Sequence, residues 1–354
     1  QVTVVNEKAT KEANDKVNKI RQAFDNWIWQ DDERRNDLVN HYNQNYNNTV
    51  QRKYDGSKLT FPGYAGFHTP SAHQLDGVWM ILQQMGGIID HIVGSGKTKL
   101  MALAANKGKE MGLFKKPIVI GLKANTADLA REYMNSFPMG KVLSPKEKDF
   151  TPQRRRAFFA KMANNNWDLI VMTHDQFGKI EQSPEIQREI ITQEIEALEN
   201  DIRIAKDNDL SKRELNGLEQ RKQNLEDRLN KLSLMSKDPY LKSFDEMGID
   251  FMFVDESQQF KNLAYNTIQR GISGLGSPKG SAKAFNMLFA IRYLQKMYGA
   301  DKGTVFASGT PISNTMVEMY SLFKYLRPNK MAQMGINSFD QWANTFARVG
   351  SEIE

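Results

Sequence analysis

No cysteine occurs among the 354 residues, which excludes disulfides and thiolate metal ligands. Five scattered histidines give no two-histidine metal spacing, so a structural zinc is not expected. No stretch approaches the roughly eighteen uninterrupted apolar residues that a membrane span requires. The N-terminus also lacks a charged-then-apolar targeting signal. These absences predict a soluble, cytoplasmic chain in which any metal arrives with a nucleotide. Neither sign of charge is scarce: 48 Lys and Arg against 42 Asp and Glu leave a net +6. That balance permits a nucleic-acid partner without requiring one.

The chain is long enough for one large α/β unit with appendages or for two compact units. From about Glu7 to Trp29, apolar points at Val17, Ile20, Phe24, Trp27 and Ile28 recur at helical spacing in a polar background. A second helix is expected to begin at Asp31 or Asp32, where carboxylates suit the first turn, and to end in the Asn-rich stretch 45–48. "YDGSKLTFPGYAGFHTP" is dense in Gly and Pro and reads as a connector. Residues 1–66 are thus expected to form a helical preface to a main domain at 67–354.

Beyond Thr69, short apolar runs alternate with helix-length amphipathic stretches. "GGIID", "KPIVIGL", "WDLIVMTH", "IDFMFVDES" and "GTVFASGT" each read as a buried strand. Strands alternating with helices imply an α/β fold with a mostly parallel sheet covered on both faces, and ligands beyond the strands' carboxyl ends. One segment breaks the rhythm. Across 184–232, Ile186, Ile190, Ile195, Leu198 and Ile202 form one stripe, and Leu215, Leu218, Leu225, Leu229 and Leu232 form a coiled-coil-like seam. With "KDNDLS" at 206–211 as the turn and Ser211 as an N-cap, the expectation is an antiparallel hairpin projecting from the core, which would fold without it. Two helices packed flat on the core are the alternative.

Three short stretches carry chemistry. "GGIIDHIVGSGKTKLMALAA" sets a glycine-containing turn between a strand and a helix, where successive N–H groups can converge on phosphate oxygens. Gly94, Ser95 and Gly96 would form that cradle, Lys97 would neutralise the β- and γ-phosphates, and Thr98 would coordinate magnesium. The strict pattern has a glycine where His91 stands, so a plain loop with a solvated lysine stays open. "FMFVDESQQFKN" delivers Asp255, suited to the metal shell, and Glu256, suited to orienting or deprotonating water. "VFASGTPISNTMVEMYSLFKYLRP" shows by spacing only a strand, a small-hydroxyl turn and an amphipathic helix.

Taken in order, Gly94–Thr98, Asp255–Gln258 and Ser308–Pro311 resemble motifs I, II and III of superfamily-two helicase-like ATPases. The "SGTPISNTMVEMYSLFKYLRP" stretch is similar to the Swi/Snf-type DNA translocase branch, in which the first Walker glycine is also absent. The N-terminal "DNWIWQDDERRNDLVNHYNQNYNN" resembles the helicase portion of large phage- and plasmid-borne proteins that pair this motor with an adenine-N6 DNA methylase.

That resemblance implies a RecA-like lobe that binds ATP and magnesium and contacts double-stranded DNA, in a bacterial or mobile-element setting. It implies an adenine-reading role for Gln74, and coupling roles for Gln258, Ser308, Gly309 and Thr310. Lys123, Thr173 and His174, in the places of motifs Ia and Ib, become candidate contacts to the nucleic-acid backbone. A loop lysine and a strand-terminal cap are equally open readings of them. Motif II reads Asp-Glu-Ser-Gln instead of Asp-Glu-Ala-His, which puts its coupling to motif III in question. The sequence stops at Glu354, soon after motif III, so a partner lobe bearing an arginine finger, and a methylase domain, are expected elsewhere in a longer protein. A nucleotide-gated binding module and an RNA helicase are the competing functional readings.

Overall fold

The computed structural model describes residues 7–45, 47, 50, 52–207, 212–234, 242–267, 275 and 278–347. These group into two units, one up to Lys53 and one from Tyr54. In the first, α1 (Glu7–Gln30) and α2 (Asp32–Asn45) meet at Asp31, whose carboxylate accepts the Arg34 N–H at 2.8 Å. The Arg34 guanidinium lies 3.7 Å from the centre of the Trp27 ring. Ion–ring contact and cap together fix this corner.

The second unit is built on six strands: β1 (Gly86–Asp90), β2 (Pro117–Gly121), β3 (Val142–Leu143), β4 (Leu169–Thr173), β5 (Phe251–Asp255) and β6 (Thr304–Ser308). Their order is β1-β6-β5-β2-β4-β3, and every pairing is parallel. This is the α/β fold with a parallel sheet that the alternating pattern predicts. Five strands fall inside the five apolar runs; the two-residue β3 carries too little pattern to be read in advance.

Alternation along each strand divides the interior into two layers. Val119, Leu169, Val171, Phe251, Phe253, Val305 and Ala307 face α3 (Ala72–Gln84), α4 (Lys97–Glu110) and α5 (Thr126–Ser136). Ile118, Ile120, Ile170, Met172, Met252, Val254 and Phe306 face the other layer. That layer holds α6 (Arg155–Asn164), the single turn α7 (His174–Phe177), α8 (Pro184–Asp207), α9 (Lys212–Leu234), α10 (Ala282–Tyr298) and α11 (Met316–Leu326). The short helices α12 (Pro328–Gln333) and α13 (Phe339–Phe346) close a smaller aromatic cluster around Tyr320, Phe339 and Trp342. Leu59, Phe61 and Tyr64 of the expected connector pack against the first layer.

The helical hairpin is present but does not project, which corrects the sequence-based expectation. Ion pairs Lys222–Glu199 and Lys206–Glu219 show α8 and α9 running antiparallel. Ile186, Ile190 and Ile191, however, are buried in the second layer, and Leu225, Leu229 and Leu232 pack against it. The Arg228 guanidinium covers Phe285 and Phe289 of α10, and Glu194 pairs with Lys324 of α11 at 2.6 Å. Only the distal part, around Leu198, Ile202, Ala205 and Leu218, packs on itself. The physical reason is that α8 carries apolar residues on a band wide enough to face both α9 and the sheet layer, whereas a free coiled coil needs only one seam. The expected cap at Ser211 lies outside the described residues.

Candidate functional site

Register brings the three motifs together. Asp90 at the end of β1 is opposite Ser308 at the end of β6, and Ala307 is opposite Asp255 at the end of β5. The glycine-containing turn, the two adjacent carboxylates and the small-hydroxyl turn therefore leave the same edge of the sheet side by side. Gly309 backs directly onto the turn: a Cβ there would lie 3.1 Å from a Val93 methyl and 3.4 Å from the Val93 nitrogen.

The turn itself is built on two left-handed glycines, Gly94 (φ 82°) and Gly96 (φ 81°), conformations that side chains with a Cβ adopt only at a cost. Lys97 opens α4 and is 9% exposed, which decides against a solvated loop lysine. Its ammonium donates to the carbonyl oxygens of His91 (2.8 Å) and Ile92 (3.1 Å), so the cation sits inside the turn. Burial lowers the pKa of His91, helped by the neighbouring His73 and then by Lys97, with Asp90 opposing. The buried Ser95 hydroxyl has no hydrogen-bond partner among the described residues. A loop with this backbone, at the N-terminus of a 14-residue helix and with an inward lysine, can accept a phosphate chain.

Gln74 is brought to the same place. Its amide oxygen accepts the Ser71 N–H at 3.0 Å and its nitrogen donates to the Gly96 carbonyl at 3.2 Å. It thus ties the start of α3 to the glycine turn. Ser71-x-x-Gln74 has capping-box spacing, a signal that the sequence alone carries. His73, which no motif singles out, approaches the Ser95 carbonyl at 2.9 Å.

Asp255 is 5% exposed, and burial raises its pKa, with the neighbouring Glu256 adding to the rise and an Asn125 hydrogen bond opposing it. Asn125 is another residue that sequence reasoning misses; it lies just past β2, the strand beside β5. Glu256 is one of two non-glycine residues described with positive φ, at 51°. Such a conformation costs on the order of 1–2 kcal/mol, held here by the surrounding bonds. Gln258 donates its amide to the Glu256 carboxylate and accepts the Ser308 hydroxyl at 2.8 Å, while Ser308 accepts the Thr310 N–H at 3.0 Å. Gln258 therefore links the Glu256 carboxylate to the turn at Ser308. Lys261 and Glu318 form a second, unforeseen link: they pair at 3.0 Å, and Glu318 accepts the N–H groups of Ser313 and Asn314.

The three remaining candidates separate. Lys123, just past β2, is exposed and pairs with Glu147. Thr173 ends β4 and caps α7, its hydroxyl accepting the Gln176 N–H at 3.0 Å. His174 is 4% exposed, its Nε2 is 2.9 Å from the Asp255 carbonyl, and its ring packs on Phe260. Burial pushes its pKa down to about 4. A neutral, enclosed imidazole braces the end of β5 instead of reaching a phosphate at the surface, so the sequence-based expectation for His174 is corrected.

Among the described residues no group of three or more His, Cys, Asp and Glu side chains is placed to hold a metal. A metal at this end of the sheet would need further oxygen donors, water or phosphate, to complete its shell. The Thr98 hydroxyl and the Asp255 carboxylate are oxygen donors of the kind magnesium takes.

A family model described as "Probable helicase domain" matches residues 79–354, which contain all three motifs. The chain belongs to this helicase-domain family. A second model, a domain of unknown function (DUF8437), matches residues 1–48. Defense against restriction protein B of Escherichia phage P1 is 22% identical over 377 residues, covering 94% of this chain and 16% of that protein. The chain thus spans about a sixth of the length of the curated relative it matches. Among solved structures, the Sulfolobus solfataricus SWI2/SNF2 ATPase core in complex with dsDNA aligns over 82% of this chain and 41% of that one, at 12% identity and a TM-score of 0.43. No described helix is long and apolar enough to cross a membrane.

Proposed function

We propose that this helicase domain is the first motor lobe of an ATP-dependent DNA translocase. The observation that carries the reading is the register at the sheet edge, which sets the buried Lys97, the Asp255–Glu256 pair and the Gln258–Ser308 link around one place. Gly94–Thr98 would receive the phosphates on backbone N–H groups, with Lys97 leaving its carbonyl partners for the β- and γ-phosphates. Thr98 and Asp255 would hold magnesium, which when bound would supply positive charge to offset that of the phosphates. Glu256 would orient the attacking water and accept its proton. Gln74, already bonded to the turn, would turn its amide to the adenine. Lys123, past the end of β2, and Thr173, the last residue of β4, would contact the backbone of double-stranded DNA. A second RecA-like lobe, and a methylase domain in the same protein, belong to the same proposal, as does a bacterial or phage setting.

The test is a pair of substitutions read separately. Lys97→Ala should abolish binding of a fluorescent ATP analogue, because it deletes the one side-chain cation inside the turn. Glu256→Gln should preserve that binding and remove DNA-stimulated turnover once the partner lobe is supplied. Full nucleotide affinity in Lys97→Ala would refute the assignment.

A further inference from the structure

The sheet order sorts the chain's candidate contacts into two halves. At or beyond the ends of β1, β6 and β5 lie the nucleotide motifs; beyond β2 lies Lys123, and at the end of β4 lies Thr173. The row ends at the edge strand β3, and the surface past that strand carries none of the motif residues. There, Lys146, Lys148, Arg154 and Lys161 surround a cavity of about 460 Å³. All four are exposed, and none forms an ion pair among the described residues, whereas Lys109, Lys222, Lys261 and Lys324 each pair with a carboxylate. The carboxylate in the lining, Asp149, is already engaged, accepting the Lys146 N–H at 2.8 Å. Phe158 and Leu143, both buried, add apolar lining. Four cations against one lining carboxylate leave a net positive charge, which an anion relieves.

We propose that this pocket is a further contact site for the phosphate backbone of duplex DNA, extending the track of Lys123 and Thr173 to the edge of the sheet. The inference rests on the DNA-motor reading of the chain. Three observations favour a polyanion bound along this line. Lys146 and Lys148 follow β3 and so leave the same end of the all-parallel sheet as the other two positions. Two strand spacings, on the order of 10 Å, separate β2 from β3, a distance along the duplex axis that one DNA strand covers with about three phosphates. The pocket is also physically tied to the track: Gln176, in the helix capped by Thr173, donates to the Pro145 carbonyl at 3.3 Å, and Glu147, between Lys146 and Lys148, is the partner of Lys123. Glu147 thus occupies Lys123 as a phosphate would, and DNA entering the track would displace it.

The test is the salt dependence of duplex binding by the whole 354-residue chain, read by fluorescence anisotropy of a labelled duplex. Each phosphate contact contributes about 0.9 to the slope of log K against log salt. Lys146→Gln with Arg154→Gln should lower the slope by about 1.8, narrowing the loss of affinity between 50 and 200 mM salt by about tenfold. The charge-conserving pair Lys146→Arg with Arg154→Lys should retain the original slope, and binding of a fluorescent ATP analogue should be the same in all three proteins. Duplex binding with an unchanged slope in the glutamine variant would overturn the pocket and leave the motor reading standing. Absence of salt-dependent duplex binding by the unaltered chain would overturn both.

Discussion

The Ser308 hydroxyl donates to the Gln258 amide at 2.8 Å, joining the end of β6 to the turn after β5. Because the same Gln258 donates to Glu256, a shift of the Ser308 turn is transmitted to the carboxylate through one side chain. Gln258→Ala should therefore reduce ATP turnover about tenfold, the effect of losing one to two aligned hydrogen bonds, with nucleotide affinity changed less than about threefold. Affinity and turnover falling together would mean that Gln258 builds the binding turn instead of aligning Glu256.

Gly96 tests the turn from the other side. Its φ is 81°, and a Cβ placed there would stand 2.2 Å from Gln74 Nε2. Gly96→Ala should cost about 1–2 kcal/mol in backbone strain and break the Gln74 bond to the turn. The expected result is a lower unfolding midpoint together with at least a tenfold loss of ATP-analogue affinity. Gly63→Ala, also at positive φ but with open space around it, should show the strain alone and keep nucleotide affinity.

His174 should impose an acid limit on stability. Its folded pKa of about 4 lies below the ordinary 6.5, so below pH 6.5 the unfolded chain takes up a proton that the folded chain refuses. Stability from this group is present above pH 6.5 and lost as pH falls toward 4. Between pH 7 and pH 5 the loss is about 2 kcal/mol. Lys283 opposes protonation, whereas Asp175, Glu256 and the Asp255 carbonyl favour it. Asp201, raised to about 6 by burial and by Asp340, works in the opposite direction, gaining stability on acidification. The check is the difference in unfolding free energy between wild type and His174→Gln at the two pH values. An equal acid sensitivity in both would remove His174 as a cause.

The strands and the three motifs are legible because a buried parallel strand leaves a run of apolar residues, and because the chemistry sits at the ends of such runs. Lys97, Asp255 and Ser308 need no tertiary information to be found. The pairing of Asp90 with Ser308 and of Ala307 with Asp255 that puts them together is register, which local pattern does not encode. His174 misleads because its neighbour Thr173 is half-buried at a strand end while its own ring turns inward, a one-residue difference invisible to motif matching. Asn125, Lys261 and Glu318 escape notice because each is an ordinary polar residue until its distant partner is known.

The hairpin shows the same limit and yields a sharper experiment. The leucine spacing of α9 is compatible with a free seam, but Ile186, Ile190 and Ile191 of α8 are 5%, 4% and 0% exposed within the second core layer. Removing three buried isoleucines costs roughly 5–9 kcal/mol, comparable with the whole stability of a typical domain. Replacing residues 184–232 by a short Gly/Ser linker should therefore give an unfolded or insoluble product, the reverse of what a projecting hairpin predicts. The distal part behaves differently, since Ile202, Ala205 and Leu218 are buried largely by one another. Lys222 faces Glu199 and Lys206 faces Glu219, so residues 201 and 220 lie near enough across the hairpin for a short Gly/Ser turn to join them. Replacing 202–219 in this way should keep a cooperative unfolding transition and unchanged ATP-analogue binding, at a cost of about 1–3 kcal/mol from the newly exposed Leu198. Loss of the cooperative transition in the short deletion would mean that the tip, too, is part of the core, and survival of the long deletion would restore the projecting hairpin.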